Sequence, residues 1–282
     1  MLILITGING FTGQYLKSKL IERGYEVVGL KADLMDASSL DKEIKKVQPD
    51  AVVHLAGISF VAHSDKRDFY NINIIGTYNL LNSLDSSLLN LKSVLIASSS
   101  NVYGNMHEQS ISERGALDPK NDYAVSKLSL EYMSKLFMDR LPICIVRPFN
   151  YTGVGQSTDF LVPKIIHHFL EKRPHIMLGN MNIHREFNDV RNVVDIYSSL
   201  ITGSFSGKVF NICTEKTYSI ANIINICEKI TKHKIEARTN VELCRNNEAI
   251  RIAGNGQYLK KHVKFKNKFD LSDTLHWMLN FK

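Results

Sequence analysis

Residues 2–13 read LILITGINGFTG. An apolar run long enough for a buried strand leads into glycines at 7, 10 and 13. Immediately beyond, GQYLKSKLIERG (13–24) has helical spacing, with Leu16, Leu20 and Ile21 on one face and Gly24 as its stop. A strand that turns through spaced glycines straight into a helix commits a chain to a βαβ unit. Small residues there let the backbone approach a pyrophosphate, and the helix N-terminus stabilises its negative charge. Glycines packed only for a tight turn would look the same, but the place at the start of a βαβ unit favours dinucleotide binding. Gly7, Gly10, Phe11, Thr12 and Gly13 are the expected contacts.

The alternation continues. Strands are expected at 26–30, 49–57, 93–100 and 142–150. Helices are expected at 37–47, at 68–84 with an interruption at Gly76, and at 123–138. This order predicts an α/β fold, a Rossmann-type doubly wound parallel sheet with helices on both faces. After residue 150 the pattern loosens, with helices expected at 161–172 and 219–231 and a strand at 208–214. The expected organisation is an NAD(P)-binding domain over 1–150 and a smaller substrate-binding lobe over 151–282, partly interwoven with it.

Composition narrows the partners. The 44% apolar content of the 282 residues supports a sizeable core. Cys144, Cys213, Cys227 and Cys244 are scattered, with no CxxC pair, so neither a disulfide framework nor a metal site is expected and a reducing cytoplasm fits. The five-residue apolar start is too short for a signal peptide, and no stretch suits a membrane span. The formal charge is +7, with one basic cluster at LKKHVKFKNK (259–268). It lacks aromatic interleaving beyond Phe265 and reads as a solvated face rather than a nucleic-acid surface. Mild positive charge suits an enzyme of anionic, phosphate-bearing ligands.

Two more stretches carry chemistry. The dinucleotide fingerprint usually puts an acid about twenty residues on, at the end of the second strand, to hold the adenosine ribose. That place is taken by Lys31, with Asp33 two residues later. Lys31 can pair with a 2′-phosphate, favouring NADP(H) over NAD(H), or it can be a solvated surface lysine. Further on, YAVSK sets Tyr123 and Lys127 at i and i+4 on one helix face. An ammonium beside a phenol is expected to lower the tyrosine pKa toward neutrality, making it a proton donor and acceptor.

Taken together, Gly7/Gly10/Gly13, HLAG (54–57), Asn73 in NIIGTYNLL, SSSNVYG (98–104) and Tyr123-x-x-x-Lys127 resemble the extended short-chain dehydrogenase/reductase family. The resemblance covers essentially the whole chain and implies action on a nucleotide sugar. It implies a catalytic set of Ser99, Tyr123 and Lys127, and adds Asp33, Leu34, Leu55, Ala56, Gly57 and Asn73 to the cofactor contacts. RPFNYTGVGQ (147–156) is similar to the segment that supplies a substrate-binding asparagine, here Asn150. REFNDV (185–190) and RNNEA (245–249) resemble segments that meet the nucleotide. They place Arg185 and Arg245 on the diphosphate, where a planar fork grips two oxygens, and Glu248 on ribose hydroxyls. Lys164 is expected near the nucleotide, and Ser100 and Asn101 at the sugar. RNNEA departs from the Arg-Pro-x-Glu-Val of the GDP-sugar branch at Asn246 and Ala249. Family members pair as homodimers through the helices here expected at 68–84 and 123–138.

The same positions sort the reactions. Dehydratases of the family read Thr-Asp-Glu or Thr-Ser-Glu where Ser99, Ser100 and Asn101 stand; neither Ser100 nor Asn101 ionises, so dehydration is disfavoured. A 4-ketoreductase of a GDP-linked 6-deoxyhexulose is the leading expectation, closest to the GDP-4-keto-6-deoxy-mannose reductases and suited to surface polysaccharide precursor synthesis. A nucleotide-sugar 4-epimerase using NAD(H) is the alternative. A non-catalytic NAD(P) sensor is more remote, because such proteins tend to lose the Ser/Tyr/Lys set.

Overall fold

Strand alternation decides the architecture. Ile3, Ile5, Ala51, Val53, Leu95, Cys144 and Val146 share one buried cluster, while Leu4, Val52, Val94, Ile96, Ile143 and Ile145 share another. Successive side chains of each strand therefore face opposite sides of a sheet that is apolar on both. In this computed structural model, which describes residues 1–106, 110–243 and 249–281, both sides are covered by helices.

In chain order the first half comprises β1 (Leu2–Thr6), α1 (Phe11–Glu22), β2 (Glu26–Gly29), α2 (Ala37–Val47), β3 (Ala51–His54), α3 (Arg67–Tyr70), α4 (Gly76–Ser86), β4 (Ser93–Ala97), α5 (Asp122–Lys135) and β5 (Ile143–Pro148). The second comprises β6 (Tyr151–Thr152), α6 (Leu161–Leu170), β7 (His175–Leu178), β8 (His184–Arg185), β9 (Asn188–Asp189), α7 (Val190–Ile201), β10 (Val209–Ile212), β11 (Tyr218–Ser219), α8 (Ile220–Thr231), β12 (Glu236–Thr239), α9 (Gln257–His262) and α10 (Leu271–Asn280).

The described residues form one six-stranded sheet in the order β2-β1-β3-β4-β5-β10, parallel throughout. The α/β, Rossmann-like fold is thus the expected one. α1 and α7 pack together on one face, and α2, α4 and α5 lie on the other. The chain runs from β1 out to β2 and then back past β1 to β3. A ligand crevice opens at the carboxyl ends of strands where the order reverses in this way. The second half builds its own core from α6, α8 and α10, with Val162, Ile165, Phe169, Ile223 and Leu275 at its centre. Short pairs β6–β9, β8–β11 and β7–β12 surround that core. Within the second half, α7 and β10 instead complete the first sheet.

One helix differs from its expectation. Gly76 does not break the 68–84 helix. A π-helical turn over Asn71–Ile75 joins α3 to α4, and Gly76 continues the helix beyond it. The glycine serves packing, since a Cβ there would come 3.1 Å from the Leu34 Cβ. The wide turn swings Asn73 inward, where it is fully buried.

Candidate active site

A cavity of about 760 Å³ opens at the carboxyl ends of β1, β3, β4 and β5. Its floor is the glycine turn. Gly7 has a φ of +70°, which favours glycine, and its carbonyl accepts from Gly10 N–H at 3.0 Å. A Cβ on Gly13 would lie 2.2 Å from the Gly7 oxygen, so the first turn of α1 is pressed against the loop. No side chain caps α1, whereas Asp36, Asn121, Asp189, Ser219 and Asp270 cap α2, α5, α7, α8 and α10. Uncapped amides behind a glycine cradle fit a dinucleotide pyrophosphate. Gly7, Gly10, Phe11, Thr12, Gly13, Leu55 and Gly57 all line the cavity.

A buried chain of hydrogen bonds fixes that floor. Thr77 Oγ1 donates to Asn73 O at 2.7 Å, so it can only accept from His54 Nε2, at 2.8 Å. Thr6 Oγ1 accepts from Ala56 N–H at 3.1 Å and lies 2.7 Å from His54 Nδ1, to which it donates when the ring is neutral. With Nε2 donating to Thr77, a neutral ring leaves Nδ1 as the acceptor. Burial, helped by the Lys127 charge, lowers the His54 pKa to about 3. Ala56 is held against Gly7, with a Cβ on Gly7 only 2.9 Å from Ala56 N. Asn73 clamps Ile58, two residues on, accepting from its N–H at 2.9 Å and donating to its carbonyl at 3.1 Å, and it also donates to Ser126 Oγ at 3.0 Å. Ala56 and Asn73 therefore sit behind the cavity wall rather than in its lining.

Ser99, Tyr123 and Lys127 meet at one wall. Ser99 follows β4 in an extended conformation, accepts from Asn101 N–H at 3.2 Å and hydrogen-bonds Tyr123. Asn121 caps α5 through Ala124 N–H and so sets where Tyr123 begins the helix. The phenol departs from its expected titration. Burial pushes Tyr123 up to about 12, and the Ser99 hydrogen bond only partly opposes this. Lys127 does not relieve it: its Nζ donates to Ala97 O at 2.8 Å. Burial lowers Lys127 itself to about 8, against the pull of Glu131.

Glu131, one turn beyond Lys127, is 1% exposed and forms a fork with Arg147, which is 3% exposed, at 2.8 and 2.6 Å. It also accepts from Ser98 Oγ at 2.5 Å. Arg147 donates in turn to Tyr103 OH at 2.8 Å. Ser98 is thus a strand-end anchor, and the middle serine faces the phenol.

The opposite wall comes from the second half. Lys164 and Arg185 line the cavity there, while Ser100, Asn101 and Asn150 line it from the first half. Arg185 donates to the carbonyls of His184 and Ala249, both at 2.9 Å, and Lys164 to Met177 O at 3.1 Å. α6 also starts at the cavity without a side-chain cap. Arg245 and Glu248 lie outside the described residues. Lys31, Asp33 and Leu34 are not in the lining. Lys31 is exposed after β2, Asp33 accepts from Met35 N–H at 2.9 Å, and Leu34 is buried beside Gly76.

Several lining or supporting residues went unread in the sequence. Tyr151 stacks on Phe11 with centroids 6.1 Å apart and bonds Thr12 Oγ1 at 2.7 Å, tying the second half to the glycine turn. Phe60 and Phe160 meet edge to face across the cleft at 5.7 Å. Only Glu131 had a usable signal, being four residues past Lys127 on the same helix face.

Residues 3–213 match the NAD dependent epimerase/dehydratase family. GDP-6-deoxy-D-talose 4-dehydrogenase of Aggregatibacter actinomycetemcomitans is 35% identical over 259 residues, covering 90% of this chain and 88% of the relative. GDP-6-deoxy-D-mannose reductase of Pseudomonas aeruginosa is 28% identical over 293 residues, covering 99% and 96%. The structure of RMD from Pseudomonas aeruginosa complexed with NADPH superposes with a TM-score of 0.91 at 28% identity, covering 99% of this chain and 97% of that one. The chain is an oxidoreductase of the NAD-dependent epimerase/dehydratase family.

Proposed function

We propose that the enzyme reduces the C4 ketone of a nucleotide-linked 6-deoxyhexulose, GDP-4-keto-6-deoxy-mannose, with NADPH favoured over NADH. The observation that carries this reading is the Ser99–Tyr123 pair in a cavity where Asn101 stands in place of the glutamate a dehydratase needs. The relatives named for GDP-6-deoxyhexose redox chemistry support the substrate class, and the NADPH-bound neighbour supports the cofactor. Residues 1–150 would serve mainly the cofactor and 151–282 mainly the substrate.

A bound reduced nicotinamide supplies the hydride. Tyr123, held protonated by burial, gives its proton to the oxygen at C4 as negative charge develops there. Ser99 holds that oxygen in line. Lys127 then passes a proton back to the phenolate, and the lysine amine is reprotonated from solvent. Arg185 and Lys164, with the uncapped start of α6, receive the diphosphate; Arg245 joins them, and Glu248 takes the ribose. Asn150 and Asn101 hold sugar hydroxyls. The product suits surface polysaccharide precursor synthesis in the cytoplasm. Among the described residues no helix is long and apolar enough to cross a membrane.

The test mixes GDP-4-keto-6-deoxy-mannose with the enzyme and NADPH, following nicotinamide absorbance and product NMR. Stoichiometric oxidation with a new C4 hydroxyl is expected, and its configuration separates the talose from the mannose series. No oxidation would overturn the proposal. Conversion of a UDP-sugar with catalytic NAD would replace it with 4-epimerisation.

A further inference from the structure

The end of β2 carries an acid that the glycine fingerprint does not announce. Glu43, on α2, accepts from Lys31 N–H at 2.9 and 3.2 Å and from Ala32 N–H at 2.6 Å. These two amides come directly after Leu30, whose own N–H donates to Ile5 O of β1 at 3.0 Å. They therefore stand at the same sheet edge as the glycine turn. The two loops are in contact there, since a Cβ on Gly29 would fall 2.3 Å from the Ile8 side chain. At this edge a dinucleotide-binding sheet reads the adenosine ribose, with an acid for a 2′-hydroxyl or a cation for a 2′-phosphate. This chain presents both signs, the Lys31 ammonium and a carboxylate seated on the Lys31 amide.

We propose that Glu43 is a specificity-determining residue for the cofactor. Its carboxylate accepts from the 2′-hydroxyl of NADH. It also repels the 2′-phosphate of NADPH and occupies the two amides that this phosphate would otherwise use. Lys31 acts in the opposite sense, and the preference is the balance of the two. The inference rests on the cofactor reading given above, and it explains how an enzyme without an acid at the fingerprint position can still accept NADH.

The test measures binding of NADPH and NADH to the full chain by fluorescence titration, for wild type, Glu43→Gln, Glu43→Ala and Lys31→Gln. Thermal unfolding confirms that each variant folds. Glutamine keeps an acceptor for the amides and removes only the charge. In Glu43→Gln the ratio Kd(NADH)/Kd(NADPH) should rise about fivefold, the size expected for one partly screened charge pair. Glu43→Ala should move it the same way, and Lys31→Gln should lower it. A ratio within about twofold of wild type in both Glu43 variants, or equal weakening of both nucleotides, would overturn the inference and leave Glu43 a loop clamp. If wild type bound neither nucleotide, the cofactor reading would fall and this inference with it.

Discussion

Burial keeps the Tyr123 phenol protonated and lowers the pKa of the Lys127 ammonium, so in the proposed reaction the two would divide the labour of proton transfer. Two outcomes follow for the proposed reaction. Tyr123→Phe should lower kcat by about 10²- to 10⁴-fold, the usual worth of a positioned acid, in steady-state assays. The pH profile should fall on its alkaline side near 8, because the lysine pKa is lowered from 10.5 to about 8 and its charge disappears as pH rises through that value. Glu131 raises the Lys127 pKa, so Glu131→Gln should shift the alkaline limb to lower pH. That variant also strands the buried Arg147 and should lose about 3–5 kcal/mol of stability. The limb, not the melting point, is the readout. At this scale the sequence was informative wherever spacing fixes a helix face. The spacing of Tyr123 and Lys127 put them on one face of α5, whereas the middle serine was picked out only through the family resemblance. The direction of the Tyr123 shift was not, because it depends on Phe69 and other neighbours that only the fold brings to 5.9 Å and closer.

Among the elements, β1, its turn and α1 leave little room for change. Gly13→Ala would drive a Cβ into backbone on both sides, at 2.2 Å from Gly7 O and 2.7 Å from Ile8. Neither partner is a flexible side chain, so the helix must lift off the loop. NADPH titration should show binding lost, with a fall in Tm beyond about 5 °C in a scanning melt. This unit was legible because strand, glycines and helix are contiguous. The π turn was not, since its widening is set by partners of Asn73 at Ile58 and Ser126, remote in sequence. Glu43 was hidden for a similar reason. It is distant from the strand end in sequence but folded back on it, whereas the fingerprint looks only at the strand itself.

At the scale of the molecule, the outer faces of α4 and α5 stay apolar. Ile75, Tyr78, Tyr132 and Leu136 are 45, 46, 55 and 72% exposed on those helices or at their ends. Several large apolar side chains exposed on neighbouring helices mark a contact face. We propose that two copies pair through it. Light scattering should give twice the chain mass, and the double variant Tyr132→Glu, Leu136→Glu should give one. The sequence already hinted at this by placing apolar residues around more than one face of α5. It did not disclose how the two halves share a sheet, because β10 reaches its neighbour β5 across sixty intervening residues of the second half.

That shared sheet has a consequence in time. As the chain leaves the ribosome, the glycine turn, the serine strand and the tyrosine helix are all made before residue 150. The helix that roofs one face, α7, and the strand that closes the edge, β10, arrive only by residue 212. Until then Ile3, Ile5, Cys144 and Val146 have no full cover and β5 has a bare edge. A gene fragment ending near 150 would encode every expected catalytic residue and still release a sticky, open-edged half-fold prone to aggregate.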